Sequence, residues 1–208
     1  MNFLAFLFGW WVFKPYSIFV AMILRLRGIK VGHNFYIQGV PFLKLRGKSG
    51  TIIIGDNVRV NGHIDLRNRE NGRIIIEDDV MLDTGCRLVA ANDSLLLIRK
   101  GAALGCYCIV NCGIGIEIGE DARLAGYCYL QDSDYGLRRS MSLKSQPFTY
   151  GKIVLGREAW LAAHVTVLKD TTISEGAVVG ANAVVTKDLS AFSINAGIPA
   201  RPIAMRSD

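Results

Sequence analysis

Hydrophobic residues return along this chain every six positions and complete a set after every third return. Ile54, Val60 and Leu66 form one set, followed by Ile76, Leu82 and Leu88, then Ile98, Leu104 and Val110. The series runs on through Ile118, Leu124 and Leu130, then Leu155, Leu161 and Val167, and closes with Ile173, Val179 and Val185. A weaker set, Val31, Ile37 and Leu43, precedes it. Successive sets start 23, 22, 22, 20, 37 and 18 residues apart, and the excess over eighteen always enters after the third anchor. A period of six fits neither a helix, at about 3.6, nor a plain amphipathic strand, at about 2. It fits a repeating three-sided coil that admits insertions at one corner.

The remaining hexad positions agree. Four residues after the first anchor stand Val58, Val80, Ala102, Ala122, Ala159 and Ala177, with Phe35 out of pattern. Four after the second stand Ile64, Cys86, Cys108, Cys128, Val165 and Ala183, with Pro41 out of pattern. One large and one small inward residue per face can fill a narrow core. The reading is an all-β solenoid of six to seven coils over residues 31–188, with a loop extruded over 131–152. Residues 1–30 and 189–208 are the expected end caps, because each coil touches only its neighbours and the terminal ones need covering.

Charge changes the picture at one end. Of 24 basic residues, seven fall within the first fifty positions, which hold no Asp or Glu, while the remaining 158 are nearly balanced. An apolar run from Phe3 to Phe13 meets Lys14-Pro15, then a second from Ile18 to Leu24 ends at Arg25, Arg27 and Lys30. Neither run reaches the roughly 20 residues a membrane span needs, and joining them would bury Lys14 near the middle. No positive residue precedes the first run, unlike a secretory signal. Two readings of this segment stay open. One is an apolar helix lying on an anionic membrane surface with Trp10-Trp11 at the interface; the other is a helix capping the solenoid or packing on another subunit. The basic residues are few and lack the interleaving expected of a nucleic-acid interface.

Three of the five cysteines, Cys86, Cys108 and Cys128, occupy small inward positions as compact fillers, and Cys106 and Cys112 fall on outward beats. Structural reduced thiols suit a cytoplasmic protein. No spaced histidine pair accompanies Cys106, Cys108 and Cys112, and His33, His63 and His164 fall at mismatched beats in separate coils, so a metal site is not expected.

The segments Ile54-Gly-Asp-Asn-Val, Ile118-Gly-Glu-Asp-Ala and Leu155-Gly-Arg-Glu-Ala-Trp-Leu-Ala-Ala resemble the hexapeptide-repeat acyltransferases. So do Val179-Gly-Ala-Asn-Ala-Val-Val-Thr-Lys-Asp and Ala196-Gly-Ile-Pro-Ala-Arg, which carry the more specific part of the match. The likeness covers roughly residues 28–205 and is greatest to maltose, galactoside and surface-polysaccharide O-acetyltransferases. It implies a left-handed parallel β-helix, against the usual right-handed crossover. It further implies a homotrimer that binds acetyl-CoA, with no metal, in grooves between subunits. The insertion before Leu155 corresponds to a loop that helps wall the active site, as long loops in compact folds tend to.

Attack of a sugar hydroxyl on a thioester needs a base within hydrogen-bond reach and a fixed donor for the oxyanion. The resemblance supplies the base as a histidine just before the extruded loop, and the matching residue in this chain is Tyr135. A tyrosine hydroxyl, with an ordinary pKa near 10, is a poor base at neutral pH. Asp132 or Asp134 could take over, although both also suit solvated turns; a histidine of a neighbouring subunit is a further source. On the donor side the match implies backbone groups of Ala163 and Ala181 along the pantetheine arm, Thr186 and Lys187 near the adenosine end, and Arg201 on a CoA phosphate. Trp160 would line the pocket near the thioester and Asn111 would touch the acceptor. The expected activity is acetyl transfer from acetyl-CoA to a sugar hydroxyl of a bacterial-type surface polysaccharide or its precursor, at the inner face of the membrane. The alternative is a catalytically inactive trimeric scaffold that binds CoA or a partner enzyme.

Overall fold

A computed structural model describes residues 10–207. Three parallel sheets form the walls of a solenoid of about seven turns, a left-handed parallel β-helix. Face one runs from Lys30–Val31 to Thr171–Ile173, face two from Tyr36–Ile37 to Val178–Val179, and face three from Pro41–Gly47 to Val184–Val185. Register follows the hexad: Ile54 pairs with Ile76, Val60 with Leu82 and Leu66 with Leu88. Every anchor is buried except Val31 and Leu43, which pack half-covered against the core at its open end.

The corners explain the residues between the anchors. At the corner joining faces one and two a left-handed backbone recurs at Asn34, Asn57, Asp79, Gly101 and Asp121, residue types that tolerate it at low cost. Their side chains also form a ladder, Asn34 Nδ2 donating to Asn57 Oδ1 at 3.1 Å and Asn57 Nδ2 to Asp79 Oδ1 at 3.0 Å. At the corner joining faces two and three the same conformation falls to Tyr107, Tyr127 and His164, whose rings stack at centroid separations of 5.3 and 4.8 Å.

The residues added after each third anchor lengthen face three itself. Its first two strands span seven residues, Pro41–Gly47 and Ile64–Glu70; the next is Cys86–Ala90, and the last are Thr166–Leu168 and Val184–Val185. Longer strands carry the alternation one step further, so a second inward column follows the anchors. It contains Leu45, Asn68, Ala90 and Cys112 in register. Cys112 therefore sits buried, two residues past Val110 in the strand Ile109–Cys112, and not on the outward beat that the hexad count gave it. Cys86, Cys108 and Cys128 are buried at the inward corner positions, where their thiols donate to the carbonyls of Gly105, Ala125 and Ala162 at 3.2, 3.2 and 3.3 Å.

Helix α1 (Phe13–Leu26) closes the N-terminal end. Pro15 stands in its first turn, where a missing N–H costs little, so Lys14-Pro15 opens the helix and does not interrupt it. It ends at Gly28, whose φ of 80° lets Gly28 N and Ile29 N reach the carbonyls of Arg25 and Leu24, both at 3.0 Å. Phe13, Ser17, Val20, Ala21 and Leu24 face the solenoid. Ser17 Oγ accepts from Ile37 N at 2.9 Å, satisfying a donor of the first coil, which has no preceding strand on that face. The opposite side of α1 is also apolar: Ile18, Phe19, Met22 and Leu26 are 72, 55, 49 and 79% exposed. No helix among the described residues is long and apolar enough to cross a membrane. The apolar run beginning at Phe3 lies largely outside the described residues, as does Trp10's side chain. At the other end, Ser193–Ala196 continues face two and pairs antiparallel with Arg201–Met205.

Candidate functional site on face three

Asn111, Tyr129 and Gln131 project outward from adjacent strands of face three. Asn111 Nδ2 lies 3.2 Å from Tyr129 Oη and 3.3 Å from Gln131 Oε1, and the Tyr129 hydroxyl donates to the same Gln131 oxygen. Gln131 Nε2 in turn donates to Ser133 O at 2.8 Å. Asn111 and Gln131 of this cluster floor one end of a trough of about 510 Å³ that continues over the longer strands of the first coils.

The extruded loop forms the trough's wall. Ser133–Tyr135 and Phe148–Tyr150 pair antiparallel, with Tyr135 opposite Phe148. Their rings lie 4.5 Å apart between centroids, and Tyr135 remains half-exposed. The tip is held by buried Gln146, whose Oε1 accepts from Arg138 N at 2.6 Å while its Nε2 donates to the carbonyls of Arg138 and Met141 at 3.1 and 3.2 Å. The hairpin leans on the solenoid through Tyr150, which covers Gly113 so closely that a Cβ there would come within 2.7 Å of its ring. Asn92 Nδ2 bridges Gly113 O at 2.9 Å and the Tyr150 hydroxyl at 3.4 Å.

Asp132 follows the second inward column and is fully buried at the root of this hairpin. Its carboxylate accepts from Gly113 N at 2.7 and 2.9 Å, Ile114 N at 2.8 Å and Gly115 N at 2.9 Å. Three successive backbone N–H groups around one anion form a nest. Asp132 is thus a buried anchor of the turn after Cys112 and does not line the trough. Burial, reinforced by the Asp132 charge against the pull of Ser94, pushes the Cys112 thiol up to about 12. Asp134 is exposed on the hairpin, its carbonyl 3.3 Å from Thr149 Oγ1.

The residues that the resemblance places on the donor lie elsewhere on the same chain. Trp160 is half-exposed on face two between Arg123 and Val178. Ala163 and Ala181 occupy equivalent turns at the corner of faces two and three, where Asn182 N donates to Ala163 O at 3.0 Å. Thr186 and Lys187 follow the last strand of face three, and Arg201 opens the C-terminal strand, its Nη1 on Ala200 O at 2.8 Å. One chain therefore gathers Asn111 with Ser133, Phe148 and Tyr150 around the trough, sets Tyr135 against Phe148 in the hairpin, and leaves Trp160, Ala163, Ala181, Thr186, Lys187 and Arg201 along the neighbouring face, corner and C-terminal end. Tyr129 and Gln131 were missed from sequence. The register that aligns Gln131 with Asn111 was available in the anchor spacing, since both immediately follow a third anchor.

No family model matches the chain. Curated relatives do. A Mycobacterium tuberculosis protein named as an acetyltransferase is 28% identical over 158 residues, 76% of this chain and 51% of the relative. The Escherichia coli K12 protein named as lipopolysaccharide biosynthesis O-acetyl transferase WbbJ is 27% identical over 65% of this chain and 73% of its own length. An Escherichia coli dTDP-4-amino-4,6-dideoxy-D-glucose acyltransferase is 28% identical over 83% of this chain and 89% of its own. This chain thus spans about half the length of the first and most of the other two. Among solved structures, AntD, an N-acyltransferase from Bacillus cereus crystallised with dTDP and coenzyme A, superposes with a TM-score of 0.61 at 22% identity over 89% of both chains. Hexads, solenoid and relatives named as acyltransferases converge: the chain is similar to the hexapeptide-repeat acyltransferases and shares their β-helical fold.

Proposed function

We propose that this protein transfers an acetyl group from acetyl-CoA to a sugar hydroxyl of a surface polysaccharide or its precursor, as a homotrimer at a membrane surface. The observation that carries the reading is the trough on face three, where Asn111 and Gln131, fixed by Tyr129, meet the hairpin wall of Ser133, Phe148 and Tyr150. The cluster offers donors and acceptors at fixed positions for a polyhydroxylated acceptor. A trimer supplies what a single chain separates: Trp160, Ala163 and Ala181 of one subunit facing the trough of the next. Thr186, Lys187 and Arg201 would hold the nucleotide end of CoA, with Arg201 on a phosphate as a charged hydrogen bond. In the transfer the thioester C–S bond breaks as the C–O bond forms, and the hydroxyl proton passes to a base. Asp134, exposed beside Tyr135, is the carboxylate left to take it; Tyr135 orients the acceptor.

The burial of Asp132 away from the trough favours a second reading, an amino-sugar acceptor, since a neutral amine attacks a thioester with less help from a base than a hydroxyl needs. The acceptor class of the WbbJ-named relative favours the first. The apolar outer side of α1, flanked by Lys14, Arg25, Arg27 and Lys30, suits an anionic membrane surface.

Calorimetric titration with acetyl-CoA and CoA tests the donor side. Saturable micromolar binding is expected, weakened about tenfold or more in Arg201→Ala, as loss of a charge-assisted bond of roughly 1.5–3 kcal/mol predicts. No binding at millimolar ligand overturns the transferase reading and leaves an inactive scaffold.

A further inference from the structure

The half of the trough farther from the hairpin is lined by cations that the acyl-transfer reading does not use. Lys44 and Arg46 project from Pro41–Gly47, Arg67 and Arg69 from Ile64–Glu70, and Arg87 from Cys86–Ala90. Register sets Lys44 directly opposite Arg67 and Arg46 directly opposite Arg69. Like charges facing across a strand pair destabilise a sheet, and this sheet does it twice in succession.

The carboxylates nearby do not relieve it. Asp65 binds Arg67, with Nε at 2.8 Å and Nη2 at 2.5 Å. Glu70 accepts from Asn92 N at 3.0 Å. Among the described residues Lys44, Arg46, Arg69 and Arg87 form no ion pair, and the Nε of Arg87 is buried without a hydrogen-bond partner. Five cations against two carboxylates leave a net of three positive charges in one trough. Strand spacing of about 4.8 Å and an alternate-residue step of about 6.6 Å set the four paired cations in a compact grid. A single carboxylate cannot span such a grid; a diphosphate ester, with charge spread over several oxygens, can engage both cross-strand pairs, and guanidinium forks bind phosphate oxygens two at a time.

We infer that this basic half of the trough binds the diphosphate of a diphosphate-linked sugar, holding the sugar over Asn111 and Gln131. The inference rests on the acceptor-site reading above and gives that acceptor a chemical class. The shared chemistry is the diphosphate ester; its source is either a soluble nucleotide sugar or a lipid-linked one.

The test uses the full chain and Arg46→Gln/Arg69→Gln. Inorganic pyrophosphate is titrated against sulfate at matched ionic strength, followed by UDP-glucose and by undecaprenyl diphosphate in detergent micelles. Wild type is expected to bind pyrophosphate at least about tenfold tighter than sulfate, and the double variant to lose that preference. Without ligand, the variant's melting temperature should equal or exceed that of wild type, because a like-charge pair has gone; a purely structural role for these arginines would lower it. Pyrophosphate affinity should persist at saturating CoA. Preference for UDP-glucose over the micellar ligand assigns a soluble source, and the reverse a lipid-linked one, both upholding the site. Pyrophosphate binding no tighter than sulfate, or abolished by CoA, overturns the inference. CoA binding without pyrophosphate binding sinks this inference alone, and pyrophosphate binding without CoA binding sinks the donor reading alone.

Discussion

The first coils and the last are built on the same hexads yet present different surfaces. On face three, Pro41–Gly47 and Ile64–Glu70 run seven residues, whereas Thr166–Leu168 and Val184–Val185 run three and two. The anchor column is the same throughout: Leu66, Leu88, Val110, Leu130, Val167 and Val185 are all buried in register. The extra residues add outward positions that the eighteen-residue coils lack, and Arg46 and Arg69 occupy two of them. The ends differ as well. A helix apolar on both sides covers the first coil, and an antiparallel strand covers the last. The repeat therefore fixes the stack, and departures from it set the chemistry of the outside.

The largest expected effect probes the helix end. Because Phe13, Val20 and Leu24 pack on the solenoid, deleting the helix would uncover the core along with any membrane face. Replacing Ile18, Phe19, Met22 and Leu26 with serine leaves the inward side intact. At roughly 1 kcal/mol for each side chain withdrawn from the interface, vesicle affinity should fall by about 4 kcal/mol, on the order of a thousandfold. Flotation with vesicles containing anionic lipid checks it. Equal flotation of both proteins, or none of the parent, would remove the membrane reading.

Next in size is the core. Leu88→Ala in a widened coil and Leu161→Ala in a minimal one should each cost about 3 kcal/mol in denaturant unfolding, the usual range for a buried leucine. Similar losses would show that the anchor column works independently of coil width. A loss under about 1 kcal/mol at either site would mean that the coil can collapse around the vacancy.

The solenoid was legible because its core has one residue type per beat and one period. The three-sided coil and the inward Cys86, Cys108 and Cys128 follow from that spacing. Where a strand runs beyond the third anchor the hexad count loses phase, and so it places Cys112 outward and leaves Asp132 open as a base or a solvated turn residue, whereas both are buried. Period-two alternation within the lengthened strand explains both, but it needs the strand's end, which hexad spacing does not supply. Of the trough's cations only Lys44 and Arg46 belong to the charge surplus of the first fifty residues; Arg67, Arg69 and Arg87 join them by register across three coils. Tyr129 and Gln131 became a cluster with Asn111 for the same reason.

That second inward column yields the smallest of the expected effects. Cys112 sits beside Asp132 under the turn, and burial holds its folded-state pKa at about 12 against 9.0 for the free thiol. A raised pKa in the folded state means that the unfolded chain loses its proton first as the pH climbs. The associated stability is complete below about pH 9 and drains away between about 9 and 12. At pH 10 the loss from this one thiol is about 1.4 kcal/mol, the equivalent of one pKa unit. Denaturant unfolding at pH 8 and pH 10 should therefore show a smaller drop in Cys112→Ala than in the parent. The difference belongs to the widened coil, because Lys169, the residue two positions past the anchor Val167 in a minimal coil, is not fully buried. An unchanged alkaline drop in Cys112→Ala would mean that the thiol is reached by solvent, and that the inward column, with the nest holding Asp132, opens more readily than its hydrogen bonds suggest.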